Sequence, residues 1–218
     1  MTRTTIFAFL YSVGLIAQAP EPTAGFKNEF DLSILSPANY VSPHIAVGFY
    51  RFIRPDLQIG LDAGFGHKSF SGFDYAKGFV GEDYHYFTIK PEIRYHLDQE
   101  GTVHHFVGVE AFYMDLRDRY VDSHYYSGDQ TYEFEEAGYT RIKYGVNFIV
   151  AWKFKLNDRL AIIQENGIGY RYRTIDFHGV KGEFLSDKDP LFALSNFKRE
   201  GSNFSVNLFF DLKLTCDF

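Results

Sequence analysis

Four residues of one segment carry side chains that could do acyl-transfer chemistry: His67, Ser69, Ser71 and Asp74. A histidine next to a serine hydroxyl can act as the base for nucleophilic attack, and a carboxylate can orient that histidine. A lipid-modifying acyltransferase could use such a set. No regular spacing places the base beside a nucleophile, however, and these residue types are common in polar loops. We therefore favour a polar loop and do not expect the chain to be an enzyme.

A second group is acidic and lies between residues 115 and 136. Two arginines, Arg117 and Arg119, interrupt a longer set of carboxylates: Asp115, Asp118, Asp122, Asp129, Glu133, Glu135 and Glu136. Divalent cations could bridge these carboxylates to each other or to lipopolysaccharide phosphates. The spacing matches no calcium-binding loop, so a solvated acidic surface is the preferred interpretation.

Histidines offer no better ligand set. His104 and His105 would point to opposite faces of an extended strand, and the other histidines are scattered. The sequence therefore predicts no catalytic, cofactor-binding or metal-binding residue, and no cofactor. A net charge of −6 without a basic stripe also argues against a nucleic-acid partner. The single cysteine, Cys216, cannot form an internal disulfide and is expected to act as a small apolar side chain.

The N-terminal segment is typical of a secretory signal. Arg3 precedes an apolar run over residues 6–16, and Ala17-Gln18-Ala19 follows it. The run is far shorter than the roughly 20 residues that a membrane-spanning helix needs. We expect residues 1–19 to be a signal peptide, cleaved after Ala17 or Ala19, and residues 20–218 to form one domain.

Residues 202–218 alternate between polar and apolar side chains, and Phe209 alone breaks the phase. Successive side chains of a strand point to opposite faces, so this segment is predicted to be one long strand with an apolar and a polar face. The apolar face carries Phe204, Val206, Leu208, Phe210, Leu212, Leu214, Cys216 and Phe218.

Alternation recurs in seven upstream segments. It is strongest in residues 57–65, 86–97 and 142–156, and weaker in residues 28–35, 45–53, 103–116 and 160–173. Short connections at 54–56, 98–102 and 157–158 alternate with a modest loop at 36–43 and long ones at 66–83, 117–138 and 174–201. This layout predicts an all-β, eight-stranded antiparallel up-and-down transmembrane β-barrel, with short periplasmic turns, long extracellular loops and both termini in the periplasm. In the last loop, Asp189-Pro190 could begin a short apolar helix reaching Leu194.

A lipocalin-like soluble barrel has the same period but turns its apolar face inward. Three features instead favour a barrel whose apolar face points outward to lipid. Glycines lie on the polar face, where a narrow barrel has little room. Aromatic residues flank an aliphatic belt on the apolar face. The polar face also carries seven acids and nine bases that could pair inside: Glu29, Asp31, Asp62, Glu92, Glu110, Glu165 and Asp211, with Lys90, Arg94, Arg141, Lys143, Lys153, Lys155, Arg171, Arg173 and Lys213.

Several short motifs resemble a known family. They are Lys27-Asn28 with Leu35-Ser36-Pro37, then Pro91-Glu92-Ile93-Arg94-Tyr95, then Gly167-Ile168-Gly169-Tyr170-Arg171. Over residues 27–218 the chain is similar to the small eight-stranded outer-membrane barrels typified by the membrane domain of OmpA and by OmpX, and in particular to a family of such barrels with no established activity. In place of the Tyr-Glu-Arg expected in the second strand, the chain has Phe49-Tyr50-Arg51, so one inward carboxylate is missing.

The resemblance implies an outer-membrane location and an assembly machinery that reads the terminal aromatic residue, here Phe218. It leaves the role open, and the near balance of the lumen charges favours a structural or surface-interaction role, with outer-membrane lipid and lipopolysaccharide as partners. A narrow channel or a barrel that binds lipid or a small molecule is the alternative, and an outer-membrane acyltransferase is a weaker one. No sequence feature identifies a surface protein partner.

Overall fold

A computed structural model of the chain describes residues 28–39, 41–70, 80–98, 100–186 and 197–218. The expected signal peptide, the expected helix at 189–194, Ser71 and Asp74 all lie outside the described residues. Within the described part, no helix is both long enough and apolar enough to cross a bilayer.

The described chain is almost entirely antiparallel sheet. Its strands are β1 (Asn28–Ser33), β2 (Ile45–Arg54), β3 (Leu57–His67), β4 (His85–His96), β5 (Val103–Ser127), β6 (Gln130–Lys155), β7 (Leu160–Lys181), β8 (Phe184–Ser186) and β9 (Gly201–Asp217). Two single-turn 3₁₀ helices occupy Ser36–Ala38 and Lys68–Phe70.

Eight strands close into a ring. Strands β1 to β7 pair in sequence order, β7 pairs with β9, and β9 pairs with β1. At the seam, the amide of Phe218 donates to the carbonyl oxygen of Asn28 (2.9 Å) and the amide of Asn28 donates back (2.8 Å). Closure leaves the ring without a free sheet edge. The predicted eight-stranded up-and-down barrel is confirmed, and β8 is an addition that pairs only with the end of β6 near residues 131–133.

The two barrel ends differ as the loop lengths predict. Strands β2 and β3 are joined by Pro55 and Asp56 alone, and the turns between β4 and β5 and between β6 and β7 are also short. The end with these turns, which also holds Asn28 and Phe218, is called the inner end below. The opposite end is called the outer end.

The predicted loop at 117–138 is wrong, because β5 and β6 continue through it as one hairpin. The pairing extends to Ser127 and Gln130, and Gly128 makes the turn at a φ of +60°. Residues 174–181 are likewise part of β7 rather than loop. The extension is stabilised by an apolar core at the outer end, called the outer core: Tyr84, Tyr86, Met114, Leu116, Tyr120, Tyr125, Phe134, Ala137, Tyr139, Ile175 and Phe177.

The apolar face of the strands points outward. Leu208 is 73% exposed and Phe204 is 68% exposed, whereas the polar side chains between them face the interior. Aromatic residues occupy neighbouring positions across the strands, as in the pairs Tyr144–Tyr172 and Tyr170–Phe204, whose ring centroids lie 5.4 and 5.6 Å apart. Near the inner end, Phe49 approaches Phe218 at 6.4 Å. The outward face therefore has the girdle and belt arrangement that the sequence predicts.

Candidate functional site

The lumen near the inner end is organised around one arginine, Arg94 of β4. Its guanidinium group contacts Glu29 at 2.8 Å, Glu92 at 2.9 Å, Glu165 at 2.8 Å and Asp31 at 3.1 Å. All five side chains are at most 3% exposed. The four carboxylates come from β1, β4 and β7, so the arginine joins strands on different sides of the ring.

Two lysines extend this cluster. Lys153 contacts Glu29 at 2.5 Å and Asp217 at 2.6 Å. Lys213 contacts Asp62 at 2.7 Å and Glu165 at 2.8 Å. Arg94, Lys153, Lys213 and the carboxylates they contact are called the Arg94 network below. Ion pairs removed from water need this many partners, because the loss of hydration is otherwise not compensated.

Tyr50 lies at the centre of the Arg94 network. Its ring is fully buried and stacks under the Arg94 guanidinium, 3.5 Å from the ring centroid. Its hydroxyl oxygen lies 2.9 Å from Asp62 and 2.7 Å from Glu92, and it can donate its proton to one of them at a time. Tyr50 occupies the position where an inward carboxylate was expected. In the structure its hydroxyl contacts two carboxylates from other strands, Asp62 and Glu92. Its even position on β2 was the signal that it faces inward.

Above the Arg94 network lies a layer of neutral and paired groups. The Asn147 amide donates to Glu110 at 2.8 Å and accepts from Asn207 at 2.9 Å. Lys90 approaches Glu110 at 3.5 Å.

Basic residues predominate in the next layer, toward the outer end. Arg141 and Lys143 of β6 and Arg171 and Arg173 of β7 all have inward positions. The sequence-based expectation of one balanced, paired set of seven acids and nine bases is therefore wrong in its spatial arrangement. Carboxylates gather around Arg94, whereas these four cations gather above them. Lys155, also assigned to the interior, is exposed at the inner end.

Apolar residues also line part of the lumen, although the alternation places apolar side chains on the outward face. Four buried residues, Phe106, Ile149, Ala151 and Ile163, form a cluster against which Phe209 packs. Phe209 is thus inward, which explains its break in the alternation. Gly167 makes room for it, since a Cβ atom there would lie 1.8 Å from the Phe209 ring.

The candidate catalytic residues are only partly brought together. The Nδ1 atom of His67 lies 3.2 Å from the hydroxyl oxygen of Ser69, and both residues are exposed. The ring of His67 also contacts that of His85, at 5.2 Å between centroids. In the described part of the chain, no carboxylate is hydrogen-bonded to His67, so the third member of a triad is not found there. Ser71 and Asp74 lie outside the described residues.

The acidic segment is distributed along the β5–β6 hairpin rather than gathered into one site. Asp118 accepts hydrogen bonds from the amides of Gly81 (2.6 Å) and Asp83 (3.2 Å), which attaches that segment to the hairpin. Glu136 pairs with Arg119 at 3.4 Å and with Lys181 at 2.9 Å. Asp118 and Glu136 therefore have structural partners.

Among the described residues, one group has the spacing of a metal site: Asp62, Glu92 and Glu110, whose ligand atoms lie within 4.8 Å of one another. Lys213, Arg94 and Tyr50 already contact Asp62 and Glu92, and Asn147 contacts Glu110. The group therefore belongs to the lumen network described above. His104 is buried and His105 is exposed beside Asp98 at 2.6 Å, so their side chains diverge as predicted.

Comparisons with solved structures show low identity throughout. A major outer membrane protein from Thermus thermophilus is 13% identical, with 88% of this chain and 98% of that chain covered and a TM-score of 0.43. CarO from Acinetobacter baumannii is 9% identical, with 88% and 96% covered and a TM-score of 0.46. Neisserial surface protein A (NspA) is 13% identical, with 90% and 98% covered and a TM-score of 0.36.

No curated protein matches the sequence. The ring of eight strands is the fold of the small outer-membrane barrels that the sequence resembles. Residues 45–186, more than half of the chain, match the family described as protein of unknown function (DUF3575). That span runs from β2 to β8 and holds Arg94, Glu92 and Glu165. The chain belongs to the DUF3575 family.

Proposed function

We propose that the protein is an integral outer-membrane barrel with a closed lumen and a structural or surface-interaction role. The observation that carries this proposal is the Arg94 network, in which one guanidinium group is surrounded by four carboxylates from three strands. An eight-stranded barrel has an interior that side chains just fill. Passage of an ion would require these pairs to separate in a space with little water, so the barrel stays closed.

The exposed outward face supports the membrane location. Val206, Leu208 and Phe210 are each at least half exposed on consecutive outward positions of β9. A contiguous apolar surface of this kind would be unfavourable in water, and a bilayer removes the cost. With the outer end toward the cell exterior, Asn28 and Phe218 at the inner end face the periplasm, as outer-membrane barrels generally place their short turns.

The β5–β6 hairpin supports a surface role. It projects well beyond Tyr113, the outward residue opposite Tyr144, and three of its carboxylates are exposed: Asp122, Asp129 and Glu135. Carboxylates at this height could be bridged by divalent cations to lipopolysaccharide phosphates. Lipid and lipopolysaccharide are therefore the partners we propose for the barrel wall and the hairpin.

An acyltransferase is the weaker alternative. The contact between His67 and Ser69 is its only support, and both side chains are open to solvent, where a nucleophile gains little from its base. We propose that the protein has no catalytic activity.

Conductance across planar lipid bilayers tests the closed lumen. We expect purified barrel to give no steady open level above the lipid background, because the Arg94 network occupies the pore. The matched variant is Tyr50→Ala, which removes the buried ring under Arg94 and should admit brief openings. Reproducible steady channels in the unmodified protein would contradict the proposal and favour the narrow-channel alternative.

We also propose that the barrel assembly machinery recognises Phe218. Phe218→Ala is expected to lower the amount of assembled barrel in cells several-fold. Phe49→Ala is the matched control, since Phe49 contacts Phe218 at the inner end and contributes a similar apolar surface. Both variants should refold equally well in detergent, where no machinery is present. Equal assembly of the two variants in cells would show that Phe218 contributes only as part of the aromatic girdle.

A further inference from the structure

Four inward cations lie together in the lumen between the Arg94 network and the outer core. Arg141 and Lys143 are two positions apart on β6, and Arg171 and Arg173 are two positions apart on β7. Lys143 is directly opposite Arg173 in the strand register. These four residues are called the upper-lumen basic cluster below.

The arrangement is electrostatically unfavourable as it stands. Like charges directly opposite each other on neighbouring strands destabilise a sheet. The charged groups acting on Lys143 are Arg141, Arg171 and Arg173, all of them cations. Arg171 is acted on by Arg141 and donates its Nε hydrogen to the neutral hydroxyl of Ser205 at 2.9 Å. Within the described residues, therefore, no carboxylate neutralises Lys143 or Arg171.

The buried Arg141 side chain also has donors without an acceptor among the described residues, which is independent of the like-charge repulsion. It is 1% exposed, yet its Nε and Nη2 atoms have no hydrogen-bond partner among the described residues. Leaving the donors of a buried charged group unpaired is costly, so such groups normally have a partner. Arg94, equally buried nearer the inner end, has carboxylates on each of its nitrogens. Arg141 thus has the geometry of a site whose acceptor is supplied from elsewhere.

Solvent can reach part of the cluster. Lys143 and Arg171 are only partly buried, and on β9 the inward residues Ser205 and Asn203 are half-buried and exposed, respectively. The Arg94 network occupies the lumen on the inner side of the cluster. Lys143 and Arg171 are therefore the cations of the cluster that a water-soluble ligand can reach, and Arg141 and Arg173 are buried beside them. Because the side chains of the cluster point inward, lipid on the outer face of the wall cannot contact them.

We propose that the upper-lumen basic cluster binds a water-soluble oxyanion of the phosphate class. A dianion with oxygens in several directions matches guanidinium and ammonium donors that converge from two strands. A monoanion such as chloride or acetate would neutralise less charge and accept fewer hydrogen bonds. This inference adds a binding site to the closed barrel, and a closed inner end is compatible with it.

Inorganic phosphate is the probe for the test. Purified barrel in a neutral detergent at pH 7.5 is titrated with phosphate, with potassium chloride holding the ionic strength constant, and thermal unfolding is followed. We expect a saturable rise in Tm with phosphate and no rise with acetate. Arg171→Gln and Lys143→Met, on two different strands, should each weaken phosphate binding at least tenfold.

Two features separate binding from a structural effect of these variants. Each variant removes like-charge repulsion, so its Tm without phosphate should equal or exceed that of the unmodified protein. Arg117→Gln is the control, since Arg117 is exposed on the hairpin and pairs with Asp115 at 2.9 Å, and it should respond to phosphate normally. The proposal is overturned if phosphate has no saturable effect, or if both cluster variants respond like the unmodified protein.

Discussion

Replacing Arg94 with methionine is expected to reduce the free energy of unfolding by about 3–5 kcal/mol, because the substitution leaves buried carboxylates without their shared cation. Arg94 is fully buried and contacts Glu29, Glu165 and Asp31 at 2.8 to 3.1 Å, so each loses a charged partner. Methionine fills a similar volume, which separates the loss of charge from the opening of a cavity.

Urea unfolding of the refolded barrel in detergent provides the measurement, followed by the fluorescence of Trp152, the single tryptophan. Arg117→Met is the control, since the Arg117 side chain is 70% exposed and its loss should change stability far less than the loss of Arg94. If the two variants lose the same stability, Arg94 does not hold the lumen together.

A charged substitution on the outward face of β9 is expected to have the second large effect on stability. Leu208→Arg should destabilise the membrane-inserted barrel by about 2–4 kcal/mol, since a charged side chain near the bilayer midplane loses its hydration. Leu208 is the most exposed large apolar residue in the described structure, at 73%, and lies on β9 below the girdle residue Phe204.

Ser202→Arg is the matched control for this prediction. Ser202 is on the same strand and the same outward face, but it lies beyond Phe204 toward the outer end, where water is available. Its variant should assemble normally and unfold from lipid vesicles with a change below about 1 kcal/mol. Equal losses for the Leu208 and Ser202 variants would mean that the outward belt is not in contact with lipid.

Much of the barrel could be predicted from the sequence because its strands repeat one physical pattern. Alternation over residues 202–218 assigned Leu208 to the outside and Lys213 to the inside, and the structure agrees at both positions. Period-two patterning is set residue by residue, so a single sequence is enough to read it.

The β5–β6 hairpin was missed because its pattern is interrupted. Inward positions run regularly to Tyr120 and then resume at Tyr125, and Asp122 between them has a φ of +47°, an uncommon conformation for a residue other than glycine. On β6, the buried Phe134 and Ala137 are three residues apart. The register against β7 shifts between Glu136 and Gly138. Such irregularities change the face of the following residues, so alternation alone could not extend the strands.

Pairing inside the lumen could not be predicted either. Arg94 and Glu29 are 65 residues apart, and they meet because the stagger between strands brings them to the same height in the ring. The sequence assigns most of these charges to the inward face, but it does not show which of them pair across the ring. For that reason the counts of acids and bases suggested one balanced set, while the structure separates the Arg94 network from the upper-lumen basic cluster.

Membrane insertion is the claim on which the other conclusions depend, and one measurement tests it directly. Cells producing the full chain are fractionated, and the protein is run on SDS gels with and without boiling. We expect it in the outer-membrane fraction, and we expect the unboiled sample to migrate faster, because a closed barrel with a continuous hydrogen-bonded ring resists unfolding by the detergent. Recovery in the soluble periplasm with no heat-dependent shift would contradict a membrane-spanning barrel.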